Sequence, residues 1–178
     1  MKKDIILIGP VGVGKSTIGE LLSKNLKIPQ ASLDNERWEV YKEIGYDFEH
    51  ADKLFEEEGF LGIYDYWKKF EAYSVERVLD MYQGYIHDFG AGQSVYEDED
   101  LFERVRSVLD KYQNIVLLMP CTNKEKSLQI LFDRNEFEHN NLFINNTSNE
   151  KLATITVYTE GKTPAETCDE IIEQLKLD

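Results

Sequence analysis

The chain has 178 residues, enough for one well-buried domain over 1–178 and too few to suggest two. Its 34 Asp and Glu against 20 Lys and Arg give a formal charge of −14, which argues against a nucleic acid polymer as partner, because backbone phosphates need a basic surface. No apolar run approaches the ~20 residues that span a bilayer, and MKKDIILIGP enters a strand without a cleavable leader, so no membrane association and a cytoplasmic location are expected. Two cysteines, Cys121 and Cys168, make no disulfide framework and read as reduced, packed thiols. The three histidines are scattered, which leaves zinc chemistry without support.

The first predicted element is a strand at 4–8, DIILI, followed by a glycine loop and by STIGELLSKNL, where Ile18, Leu21, Leu22 and Leu26 fall at helical spacing. The loop itself, GPVGVGKS from Gly9 to Ser16, fits G-x-x-x-x-G-K-[ST] at every fixed position. Gly9, Gly12 and Gly14 permit a backbone nest of inward N–H groups, and the following helix adds its unpaired N-terminal amides. Lys15 is placed to reach the β and γ phosphates and Ser16 to ligate Mg²⁺, so ATP and Mg²⁺ are the predicted cofactors. The residues predicted to hold the nucleotide are Gly9, Val11, Gly12, Val13, Gly14, Lys15, Ser16 and Thr17.

Further strands are predicted at 30–33, 84–88, 114–119 and 153–158, with helical stretches between them, which is the alternation of an α/β parallel sheet covered on both faces. Residues 36–83 form a helical insertion dense in aromatics, among them Trp38, Tyr41, Tyr46, Phe48, Phe55, Phe60, Tyr64, Tyr66, Trp67 and Phe70. Most of these rings suit a core, and their number leaves some to line a pocket. His87 alternates to the opposite face of its strand from Asp88 and reads as a packed histidine. Asp88 closes that apolar strand beside the phosphate loop, where such folds place functional groups. The acidic YEDEDLFERV reads as a solvated helix start. Residues 135–150, NEFEHNNLFINNTSNE, read as a polar, lid-like loop. The last helix opens with a capping box, Thr163 to Glu166, with Pro164 first and Ile171, Ile172 and Leu175 facing inward.

GPVGVGKSTIGELLSKNLKIP resembles the first βα unit of shikimate kinase and its relatives among P-loop small-molecule kinases. That resemblance implies a three-layer P-loop fold with a five-stranded sheet in order 2-3-1-4-5, the insertion between strands 2 and 3 and a lid before strand 5. The family's second strand ends in Asp-x-Asp, and here Ser32, Leu33 and Asp34 stand there, so only the substrate-binding acid is kept, as Asp34. FEEEGFLGIYDYWKKFE is similar to the family's substrate segment with one helical turn added, which puts Trp67, Lys68 and Glu71 where Phe, Arg and Glu are expected; alternatively Tyr64 falls at the arginine position. Gly90, Ala91 and Gly92 stand for the family's substrate-side glycine turn. Asp88 is the expected replacement, through water, for the Mg²⁺ carboxylate that Ser32 cannot supply. No Arg-Pro-Leu-Leu lid sequence exists, and Arg134 is the arginine left near the lid to stabilise transferring charge.

These residues point to ATP- and Mg²⁺-dependent phosphoryl transfer to a hydroxyl of a small metabolite, with Lys15, Asp34 and Arg134 catalytic and Asp34, Lys68, Gly90, Ala91 and Gly92 on the acceptor. The altered substrate motifs argue against shikimate itself. A nucleoside or nucleotide acceptor, and a nucleotide-binding regulatory module with little turnover, are the alternatives. A GTPase switch is set aside: in CTNKEK, Asn123 and Lys124 are present, but Lys126 stands where guanine recognition needs Asp. A monomer or homodimer is expected.

Overall fold

The computed structural model describes residues 4–177. The domain expected over 1–178 reaches past both ends of that range, and the expected absence of a leader rests partly on residues 1–3, which lie outside it.

Five parallel strands form one sheet: β1 (Ile5–Ile8), β2 (Gln30–Ser32), β3 (Ile86–Asp88), β4 (Ile115–Met119) and β5 (Ile155–Tyr158), in the order β2-β3-β1-β4-β5. β1 and β4 are apolar throughout, IILI and IVLLM, and every residue of both is buried. Alternating side chains go to opposite faces, so this burial requires helices on both sides of the sheet. The helices are α1 (Lys15–Leu26), α2 (Leu33–Glu43), α3 (Phe48–Met81), α4 (Glu99–Leu109), α5 (Lys124–Asn135), α6 (Asn140–Asn145), α7 (Ser148–Leu152) and α8 (Pro164–Leu175). α1 packs on α8, and α3 packs on α2 and α4.

Local signals account for the ends of these elements. Asp98 caps α4 by accepting from Leu101 N, Asn123 caps α5 by accepting from Lys126 N, and the Thr163 and Glu166 pair closes a reciprocal cap on α8. Asn123, which sits in the stretch compared with a guanine motif, is thus a helix cap. The insertion begins earlier than its composition indicates, since α2 starts at Leu33, directly after β2. Its rings Tyr41, Tyr46 and Phe70 form a second small core with Trp38, Tyr66 and Trp67 packed against it. Among the described residues, no helix is long and apolar enough to cross a membrane. Cys168 is buried as expected, whereas Cys121 is only half buried.

The segment 135–150 departs from the expected polar loop. It carries α6 and the start of α7, and Asn140, Phe143, Ile144, Ser148 and Asn149 are buried. The asparagines that read as turn formers instead bridge chain segments: Asn149 Oδ1 accepts from Ser94 Oγ at 2.7 Å, and its Nδ2 donates to Phe143 O at 3.4 Å.

Candidate active site

The C-terminal ends of β1, β2 and β3 lie side by side, with Leu7 and Ser32 both in register with Asp88. Each end runs into a segment of the candidate site: β1 into the glycine loop, β2 into the first turn of α2 with Asp34, and β3 towards a 3₁₀ turn over Ala91–Ser94. Ligands in open α/β sheets bind at such an edge.

The loop turns sharply at Gly9, whose φ of 141° excludes most side chains and whose added Cβ would strike the carbonyl oxygen of Leu118. α1 then opens at Lys15 behind Gly14. A cavity of about 370 Å³ lies over this turn, lined by Val11, Gly12, Gly14, Lys15, Ser16, Thr17, Asp34, Asp88, Phe89, Gly90 and Ala91. Lys15 is buried and folds back on its own loop, donating from Nζ to Gly9 O at 2.8 Å and Pro10 O at 2.9 Å. Burial lowers its pKa to about 8, opposed by the negative charges of Asp34 and Asp88.

Asp88 is buried in the floor of this cavity. Gln30 Nε2 donates to its Oδ2 at 3.1 Å, while Oδ1 is buried with no well-formed hydrogen bond. Desolvation raises the carboxyl pKa, and the hydroxyls of Ser16 and Ser32 oppose that rise. An orphaned, buried carboxylate oxygen beside the P-loop serine fits a hydrated divalent cation, and costs free energy without one. Among the described residues no three His, Cys, Asp or Glu side chains cluster to hold a metal, so a cation here would need the phosphate oxygens of a nucleotide as well.

A second cavity, about 210 Å³, adjoins the first and shares Val11, Asp34, Gly90 and Ala91 with it. Its remaining lining is Arg37, Glu71, Gly92 and the rings of Phe60, Tyr64, Trp67, Phe137 and Phe143. Asp34 is the one ionisable side chain that borders both cavities, and its Oδ1 lies 2.5 Å from where a Cβ on Gly90 would sit. Gly92 similarly leaves room for the Glu71 carboxylate. Burial raises the Tyr64 hydroxyl well above its ordinary pKa, with Glu97 adding to the effect, so this phenol stays neutral.

Two residues fall elsewhere than their positions in the sequence led us to expect. Lys68 does not line the aromatic cavity: its Nζ meets Glu71 Oε2 at 2.6 Å and donates to Gly92 O and Val95 O, each at 3.1 Å. Arg134 lines a third cavity with Val13, Gly14, Thr17, Ile18, Thr159, Lys162, Pro164 and Thr167, which adjoins the cavity over the glycine turn through Gly14 and Thr17 and shares no residue with the aromatic one. Val13 thus belongs to that outer cavity, and Gly9 serves the turn instead of lining the phosphate cavity.

Sequence reading passed over two others. Arg37 is the cation of the aromatic cavity: its guanidinium carbon lies 4.2 Å from the Trp38 ring centroid and 5.4 Å from that of Trp67, and its Nη1 is 3.4 Å from Asp34 Oδ1. Its signal was the three-residue spacing from Asp34, which places both on one face of a helix. Asn140 binds the loop through both amide atoms, accepting from Val11 N at 2.9 Å and donating to Val11 O at 3.1 Å. Nothing in an asparagine-rich stretch singles it out.

The family model described as shikimate kinase matches residues 11–176. A shikimate kinase of Bacillus licheniformis is 27% identical over 183 residues, covering 98% of this chain and 94% of the relative. The crystal structure of shikimate kinase from Aquifex aeolicus superposes with a TM-score of 0.64 at 24% identity, covering 97% of this chain and 96% of that one. Shikimate kinase from Acinetobacter baumannii in complex with shikimate gives 0.63 at 20%, covering 98% and 95%. With the P-loop, the strand order and the matched length in agreement, this chain belongs to the shikimate kinase family of P-loop kinases, enzymes of phosphoryl transfer to small metabolites.

Proposed function

We propose that the protein transfers a phosphoryl group from Mg²⁺-bound ATP to a hydroxyl of a small metabolite other than shikimate. The observation that carries this reading is Asp34, a carboxylate standing between the phosphate cavity and the aromatic cavity. From there it can orient an acceptor hydroxyl towards the phosphate side and accept its proton as the ester forms. Mg²⁺·ATP, held by the loop amides, Lys15, Ser16 and Asp88, supplies the transferable group. Lys15, released from Gly9 O and Pro10 O, puts an ammonium against phosphate oxygens, while the rings of Phe60, Trp67, Phe137 and Phe143 keep water, the competing nucleophile, out of the acceptor space.

The departures at the acceptor side support a substrate other than shikimate: the lysine at the family's arginine position is turned inward, and the arginine present, Arg37, comes from a different helix. The aromatic wall favours a nucleoside as a second reading, because a base has a flat face to stack. The test is Mg²⁺-dependent ADP release across sugars, cyclitols, nucleosides and nucleotides, with Lys15→Ala as control. Acceptor-stimulated release that falls at least a hundredfold in Lys15→Ala is expected. Tight ATP binding with no stimulation by any acceptor would instead favour a regulatory module.

A further inference from the structure

The charges around the aromatic cavity narrow the kind of compound that reaches Asp34. We infer that the acceptor is an electrically neutral hydroxyl compound with a flat face, and that the cavity discriminates against analogues carrying a carboxylate or phosphate. This rests on the phosphoryl-transfer reading above and deepens it.

The first reason is that Lys68 has nothing left to offer an anion. An ammonium has three protons, and those of Lys68 have three acceptors: Glu71 Oε2, Gly92 O and Val95 O. The Tyr64 ring covers Nζ from 3.8 Å, and the residue is buried. A bound anion would have to take Lys68 away from a buried carboxylate, leaving Glu71 desolvated and unpaired.

The second is the balance of charge in the lining itself. Of the two acids in the lining, Glu71 is already paired with Lys68, and Asp34 faces the one lining base, Arg37. The rings of Trp38 and Trp67 take up the guanidinium, and Asp34 is its nearby carboxylate. A carboxylate or phosphate competing for Arg37 would take it from Asp34 and leave an unbalanced negative charge beside that carboxylate, in a space walled by five aromatic rings. Arg37 keeps one unmet need, a buried Nε without a hydrogen-bond partner.

The third is shape. Phe60 and Phe137 pack edge to face at 5.3 Å, and Phe137 and Phe143 lie nearly parallel at 6.3 Å, so the wall offers ring faces and edges to a flat ligand.

Of the chain's two tryptophans, Trp67 lines this cavity and Trp38 packs on its Arg37, and together they provide the readout. With saturating ADP and Mg²⁺ present, tryptophan quenching is titrated with matched pairs: methyl shikimate and shikimate, adenosine and AMP. The neutral member of at least one pair should bind at least tenfold more tightly than its anionic partner. In Glu71→Gln, which leaves Lys68 without its counter-charge, that ratio should shrink at least threefold. Equal or tighter binding of the anionic members, quenching by no neutral member, or an unchanged ratio in Glu71→Gln would each overturn the inference. ADP release is measured on the same pairs. Neutral binding without release sinks the phosphoryl-transfer reading alone, and release that favours an anionic member sinks this inference alone.

Discussion

Lys15 without nucleotide satisfies its ammonium with the carbonyls of its own loop, and burial holds its pKa at about 8 against an ordinary 10.5. Because the folded value is the lower one, the unfolded chain binds more protons between pH 8 and 10, so the nucleotide-free protein gains stability from this group as pH rises through that window. The unfolding free energy of wild type relative to Lys15→Met should therefore move in favour of wild type by about 2 kcal/mol from pH 8 to 10, read by urea denaturation at each pH. A flat difference would mean that Lys15 titrates normally. Asp88 makes a different demand, since its buried Oδ1 has no well-formed hydrogen bond, and on the proposed reading it holds the metal through water. Asp88→Asn should weaken Mg²⁺·ATP binding at least tenfold and leave metal-free nucleotide affinity within about twofold, as calorimetry with and without chelator would show. Equal loss of both would make the residue structural.

At the scale of elements, the P-loop, its flanks and all five strands were legible because their signals are local. An apolar tetrapeptide, a glycine turn and a helical stripe do not depend on what packs against them. The aromatic cavity was legible only in part. Asp34, singled out by its position after β2, does line it, but Arg37 is placed there with Trp38 and Trp67 flanking its guanidinium, a relation between α2 and α3 that no local pattern carries. Lys68 was misplaced for the same reason: its spacing from Glu71 shows a pair, not that two carbonyls from beyond β3 consume the rest of its donors. In the segment 135–150, composition pointed to a loop, whereas Asn140 closes two hydrogen bonds with Val11 and draws α6 onto the phosphate turn. Removing that amide strands a Val11 N–H, so Asn140→Ala should cost about 1–3 kcal/mol in chemical denaturation. It should also raise the apparent ATP dissociation constant, because the loop loses an external brace.

For the whole molecule, the cavity over the glycine turn draws its lining from segments following β1, β2 and β3, so any ligand held there is coupled to the fold through the sheet edge. A ligand that binds only the folded state at a hundred times its dissociation constant adds about 2.7 kcal/mol. Saturating Mg²⁺·ATP should accordingly raise Tm by about 5–10 °C in a chain of this size, and chelation of the metal should reverse most of the gain. Lys15→Ala should show little shift under either condition. A different consequence follows from Gly59, where α3 is interrupted by φ 68° and ψ −155°, a conformation open to little but glycine. Of the residues before that break, from Phe48 to Glu58, only Ala51 is buried, whereas the stretch beyond it is anchored throughout the core. The front limb is thus an outrigger that leads into Phe60, a ring lining the aromatic cavity. Its exposed residues can vary with little penalty to folding, so this limb is free to change while the packed stretch beyond Gly59 and the glycine turn stay as they are.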